Sequence, residues 1–117
     1  MPEQVDWDTL DGYQALTAET AIYPDEIPEW VPHGLVYTVL GLNDEAGEVA
    51  GKLKKAIRED DREYLDRMPD ELGDVLWYLA RSCEELNTSM REVAEGNVDK
   101  LFDRKDRGVL HGEGDDR

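Results

Sequence analysis

The chain reads as an all-α protein, a bundle of four to five antiparallel helices. Three observations predict this. No Val/Ile/Thr-rich run alternates with a period of two, and turn pairs such as Asn-Gly are absent. Apolar residues recur instead three and four apart along most of the chain. In the clearest case, Leu35, Val39, Leu42, Ala46, Val49, Leu53 and Ala56 step by 4, 3, 4, 3, 4 and 3, which puts all of them on one stripe of a helix.

The elements follow in order. A first helix is expected from about Asp8 to Ala21, with Asp8 as its N-cap and Leu10, Tyr13, Leu16 or Thr17, and Thr20 at helical spacing. Residues 23–32 hold Pro24, Pro28 and Pro32 and must form an extended connector. The second helix covers residues 34–59. The chain reverses within Arg58-Glu59-Asp60-Asp61, and residues 62–68 are mostly helical, with Pro69 either kinking that helix or opening a new one. A third helix carries Leu72, Val75, Leu79, Cys83 and Leu86 and ends at Asn87. Ser89 and Glu92 have capping-box spacing and start a fourth, with Met90, Ala94, Val98 and Leu101 as its seam and Gly108 as a C′ stop. Residues 1–108 form one domain and residues 109–117 a polar, Gly-rich tail. No repeat or second domain is visible.

Composition narrows the function. With 117 residues, 39% of them hydrophobic, the chain supports one domain with a small core, which makes burial between subunits plausible. Acidic residues number 29 against 13 basic, a formal charge of −16. Such a surface argues against nucleic-acid binding and suits a salty cytoplasm, where screening shortens the reach of like-charge repulsion. There is no apolar run long enough for a membrane helix and no apolar signal region near the acidic start, so a cytoplasmic protein without a membrane partner is expected. Cys83 is the sole cysteine and sits at an apolar helical position, as a small core residue does.

The chemistry lies in four carboxylates. Glu45 and Glu48 form one i,i+3 pair and Glu71 and Asp74 a second, with 22 residues between the pairs. Each acid precedes a seam residue, so all four flank their seams on the same side, and in an antiparallel helix pair those flanks face each other. A reversal near residue 60 sets the two pairs at one axial level. Four carboxylates make an all-oxygen site of the kind that suits Mg2+ or Mn2+ and the phosphates these ions bind. The same flank continues with Lys52, Lys55 and Tyr78, and in the fourth helix with Asn97, Lys100 and Arg104. Read blandly, these are solvated flanks joined by pairs such as Glu48–Lys52. A di-iron bundle is set aside, because neither His33 nor His111 lies three residues after a glutamate.

The segments GLNDEAGEVAGKLKKAIRED and ELGDVLWYLA resemble the MazG-like nucleotide pyrophosphohydrolases, and the likeness extends through EVAEGNVDKLFDRKDRG. The resemblance implies an all-α fold and Mg2+-dependent hydrolysis of a nucleoside triphosphate between its α- and β-phosphates, giving a monophosphate and pyrophosphate. It implies Glu45, Glu48, Glu71 and Asp74 as metal ligands, with Mn2+ a possible substitute. Glu48 or Glu45 would orient or deprotonate the attacking water. Lys52, Tyr78, Asn97, Lys100 and Arg104 would bind substrate, and a homodimer or homotetramer would share residues across its sites. The cellular role it implies is the clearance of noncanonical or surplus nucleotides. The alternative is a catalytically silent dimerisation module that keeps only the fold.

Gln14, Trp30 and His33 are candidates for a base pocket, although packing for Trp30 and His33 and surface exposure for Gln14 compete with that reading. Trp77 reads as core or subunit interface. His111 reads as a tail residue, and Gly112 and Gly114 would let the tail fold over a nucleotide.

Overall fold

The computed structural model describes residues 6, 8–24, 28–30 and 33–117, the His33 side chain excepted. Five α-helices follow one another, and no strand occurs among the described residues: α1 Leu10–Thr17, α2 His33–Glu59, α3 Glu63–Asp66, α4 Met68–Glu85 and α5 Met90–Asp106. A 3-10 turn, Ala18–Thr20, extends α1.

Local chemistry explains the boundaries. Thr9, not Asp8, caps α1: its hydroxyl accepts from the Gly12 N–H at 2.9 Å. Asp6 takes the Asp8 N–H and the Thr9 hydroxyl, and so draws Asp8 out of the cap position. α2 stops at Asp60, whose φ of 47° reverses the chain, with the Asp61 N–H bonded to the Ala56 carbonyl at 3.0 Å. Pro69 lies in the first turn of α4 and opens a new helix, so no kink is needed. Asn87, with φ 54°, closes α4, and Ser89 and Glu92 form the full capping box of α5. Gly108, with φ 73°, stops α5. Pro32 of the expected connector lies outside the described residues.

α2 and α4 form an antiparallel hairpin and supply most of the tertiary packing. Their register is fixed by close approaches at three levels. A Cβ at Gly34 would overlap the Glu85 carboxylate, and one at Gly41 would overlap the Tyr78 ring. Glu45 meets Asp74. These pairs are all centred near residue 60, where the chain turns.

The hairpin departs from the expected one in which face it buries. The stripe of α2 that touches α4 carries Gly34, Gly41, Glu45 and Lys52, with fully buried Thr38 on the same stripe. The apolar seam stands beside it, with Val39 47% and Leu53 45% exposed. The reason is coverage. α1 packs on α4 and α5, α5 packs on α1 and α4, and neither lies along the apolar side of α2. The buried hydrophobic core is correspondingly small. Among the described residues it consists of Ala80, Cys83 and Met90, with Tyr13 and Leu79 against it, where α1, α4 and α5 meet. Farther along α5, Val98 and Phe102 are exposed.

Candidate active site

α2 and α4 each contribute acids to one point on the hairpin. Glu45, from the middle of α2, and Glu71 and Asp74, from the first two turns of α4, bring carboxylate oxygens within 4.8 Å of one another. Three carboxylates at that spacing make an oxygen-only donor set, the composition that suits a hard divalent cation and not a soft one. Glu48, one turn beyond Glu45, is exposed and stands outside this group of three.

The electrostatics match the crowding. The Glu45 carboxyl is held above the ordinary glutamate range, first by burial and then by the charges of Asp74, Asp44, Glu71 and Glu48. Lys52 offsets part of this repulsion: its Nζ lies 3.2 Å from Glu71 Oε1, both side chains being largely covered. The cross-helix ion pair therefore replaces the Glu48–Lys52 pair that helical spacing alone suggests.

Aromatic rings wall one side. Tyr78 and Tyr37 lie 6.3 Å apart, and Trp77 stands edge-on to Tyr78 at 5.0 Å. Tyr23 closes the circuit, 5.4 Å from Tyr37 and 6.5 Å from Trp77. Trp77 donates to the Thr20 hydroxyl at 2.8 Å, and Arg81 Nε donates to the Tyr23 hydroxyl at 2.8 Å, so the segment after α1 is fastened to α4 beside the acids. The Tyr78 phenol is raised by burial, then by the neighbouring Tyr37 hydroxyl and the charges of Glu45 and Asp44. Tyr13 is likewise raised, by burial and then by Asp74.

Other expected site residues stand elsewhere. Gln14 is not free to meet a base. It is 6% exposed, its Nε2 donates to Glu84 Oε2 and to the Thr88 carbonyl, and its Oε1 accepts from the Met90 N–H at 2.7 Å. Trp30 is 84% exposed, so packing does not account for it within one chain, and the His33 side chain lies outside the described residues. Asn97 and Lys100 are exposed on α5, with no ion pair or hydrogen bond to the acids among the described residues. Arg104 is buried and donates to the Asp115 carbonyl at 2.7 Å, which turns the tail back onto α5 and away from the acids. His111 is an exposed tail residue, and Cys83 is buried.

Sequence reasoning passed over Tyr37, Gly41 and Tyr13. The signal for the first two was available: Tyr37, Gly41 and Glu45 are each four residues apart, on one stripe of α2. Tyr13 has the spacing of an α1 seam residue, and nothing local announces its proximity to Asp74.

The MazG nucleotide pyrophosphohydrolase domain matches residues 36–109, which include all four acids. The chain is 43% identical over 112 residues to the Gene 37 protein of Mycobacterium phage L5, covering 92% of this chain and 98% of that protein, whose name carries no activity. No solved structure matches. With a domain match spanning most of the chain, the protein belongs to the MazG nucleotide pyrophosphohydrolase family.

Proposed function

We propose that the protein hydrolyses a nucleoside triphosphate between the α- and β-phosphates, releasing a nucleoside monophosphate and pyrophosphate, and so clears unwanted nucleotides. The observation that carries this reading is the grouping of Glu45, Glu71 and Asp74 carboxylates within reach of one cation, in a chain of this family. The donor chemistry fits Mg2+, with Mn2+ as a substitute. Bound there, the cation would neutralise phosphate charge and acidify a water.

The chain's own groups do the rest. Glu48, exposed and one turn from Glu45, accepts the proton of the attacking water. The new bond forms to one phosphorus as its bond to the bridging oxygen breaks, and the electron pair leaves with the departing phosphate group. Lys52, held at Glu71, offers positive charge to the phosphate oxygens. Tyr78 bounds the nucleoside side of the site. Asn97 and Lys100 serve the site of a neighbouring copy, because within one chain they stand apart from the acids.

Association is part of the proposal. The chain exposes 8887 Å², roughly 2,400 Å² more than a compact monomer of its mass. Its radius of gyration is 17.4 Å, against about 13 Å for a compact domain. The uncovered apolar side of α2 and the projecting α5 supply the surface that a homodimer or homotetramer would bury.

The test is pyrophosphate release from a panel of nucleoside triphosphates with Mg2+ or Mn2+, at low and molar salt. Glu71→Gln and Asp74→Asn are each expected to lower kcat/KM by at least about 100-fold, since a catalytic cation contributes several kcal/mol. Full activity in both variants, or none in the wild type under any condition, would overturn the assignment.

A further inference from the structure

Gly41 and Tyr78 occupy matching places on the two helices of the hairpin. Gly41 lies four residues before Glu45 on α2, and Tyr78 four residues after Asp74 on α4. The antiparallel register brings them face to face, and the Tyr78 ring rests on the bare backbone of Gly41. A Cβ there would overlap the ring edge that includes the hydroxyl-bearing carbon. α2 contains three further glycines, and their surroundings differ. Gly47 and Gly51 face open space, and Gly34 faces the far end of a glutamate side chain. A mid-helix glycine costs roughly 0.5–1 kcal/mol relative to alanine, so Gly41 stands where an alanine would favour the helix but exclude the ring.

The ring has no easy escape. It is rigid and turns about two torsions only. Tyr37 stands at 6.3 Å and Trp77 at 5.0 Å, and Trp77 is itself fixed by its hydrogen bond to Thr20. A methyl group at residue 41 therefore moves the phenol relative to Glu45, one turn away on the same stripe.

We propose that Gly41 is a positioning residue: its missing side chain seats the Tyr78 ring between α2 and α4 and holds the Tyr78 hydroxyl beside the Glu45–Glu71–Asp74 group, where it contacts the bound nucleoside triphosphate. The role rests on the hydrolase reading above and deepens it. It separates two functions on one helix face, with Glu45 serving the cation and Gly41, through Tyr78, serving the nucleotide.

The experiment compares wild type, Gly41→Ala, Tyr78→Ala, the double variant and Gly47→Ala. It measures steady-state pyrophosphate release and, separately, calorimetric binding of Mn2+ without nucleotide. Gly41→Ala is expected to lower kcat/KM by about 10- to 100-fold, the usual cost of losing a supporting residue, and mainly through a higher KM. Its Mn2+ affinity should be unchanged. The double variant should be no worse than Tyr78→Ala, because without the ring the methyl has room. Gly47→Ala should match wild type. Unchanged kinetics in Gly41→Ala, or losses that add in the double variant, would overturn the role. So would a parallel loss of Mn2+ affinity, which would place the effect on the acids, or an equal loss in Gly47→Ala, which would place it on helix stiffness. An inactive wild type would overturn the hydrolase reading and this role with it, whereas an active wild type with an indifferent Gly41→Ala would overturn the role alone.

Discussion

Glu45 keeps its proton to a higher pH than an ordinary glutamate because it is half-buried and lies among four other acids. The unfolded chain releases the same proton at lower pH, so between the two values the folded protein binds more protons. This group's contribution to stability is therefore fully present below the ordinary carboxylate range and is lost as pH rises through the raised folded value. Glu45→Gln is expected to raise the Tm of the metal-free protein at neutral pH, with the difference shrinking on acidification. It should also abolish the rise in Tm that Mg2+ or Mn2+ gives the wild type. Differential scanning calorimetry across pH checks both, and a neutral-pH Tm below wild type would contradict the argument. Single residues differ in how much of this the sequence reveals. The acids are legible because residue type and spacing together specify hard-ligand chemistry. Gly41 is not, because a glycine marks an absence whose meaning depends on the ring opposite. Arg104 misleads, because a cation at helical spacing looks the same whether it meets a phosphate or the Asp115 carbonyl.

At the level of elements, Gln14 ties three helices together, joining α1 to Glu84 of α4, to the Thr88 carbonyl and to the first N–H of α5. Gln14→Ala leaves the buried Met90 N–H and the half-buried Thr88 carbonyl without their partner and should cost about 1–3 kcal/mol in urea unfolding, with little change in pyrophosphate release at a temperature where the variant is folded. A loss of activity at full foldedness would return Gln14 to the substrate. Helix ends were largely readable, because caps are local: Ser89 with Glu92, Asn87 and Gly108 act through their own side chains or φ values. The α1 cap shifted by one residue because Asp6, outside the expected helix, competes for the donors around it. The facing of α2 was not readable. Periodicity identifies the apolar stripe from Leu35 to Ala56, but not which neighbour covers it. α4 took the adjacent stripe because small residues and paired charges there permit close approach.

For the whole molecule, a charge of −16 and an apolar core that is small among the described residues pull in the same direction. Self-repulsion opposes compaction and association, and screening shortens from about 10 Å at 0.1 M salt to about 3 Å at 1 M. Sedimentation velocity should find a species larger than the 13.3 kDa chain, better populated at molar salt. Val39→Glu, on the uncovered apolar side of α2, should return it to a monomer. A wild-type monomer at all salt concentrations would refute the association. The reversal at Asp60 carries a separate consequence. It lies fifteen residues beyond Glu45, about 22 Å of helix away, while the register of the acids is set by contacts on the arms. Inserting Gly-Ser after Asp61 should therefore leave pyrophosphate release within about twofold, since even doubling a loop costs only about 0.6 kcal/mol. One extra residue between Glu45 and Lys52 would instead swing everything beyond it by about 100° and scatter the charges that must meet. The bend is where this protein can change length without changing its chemistry.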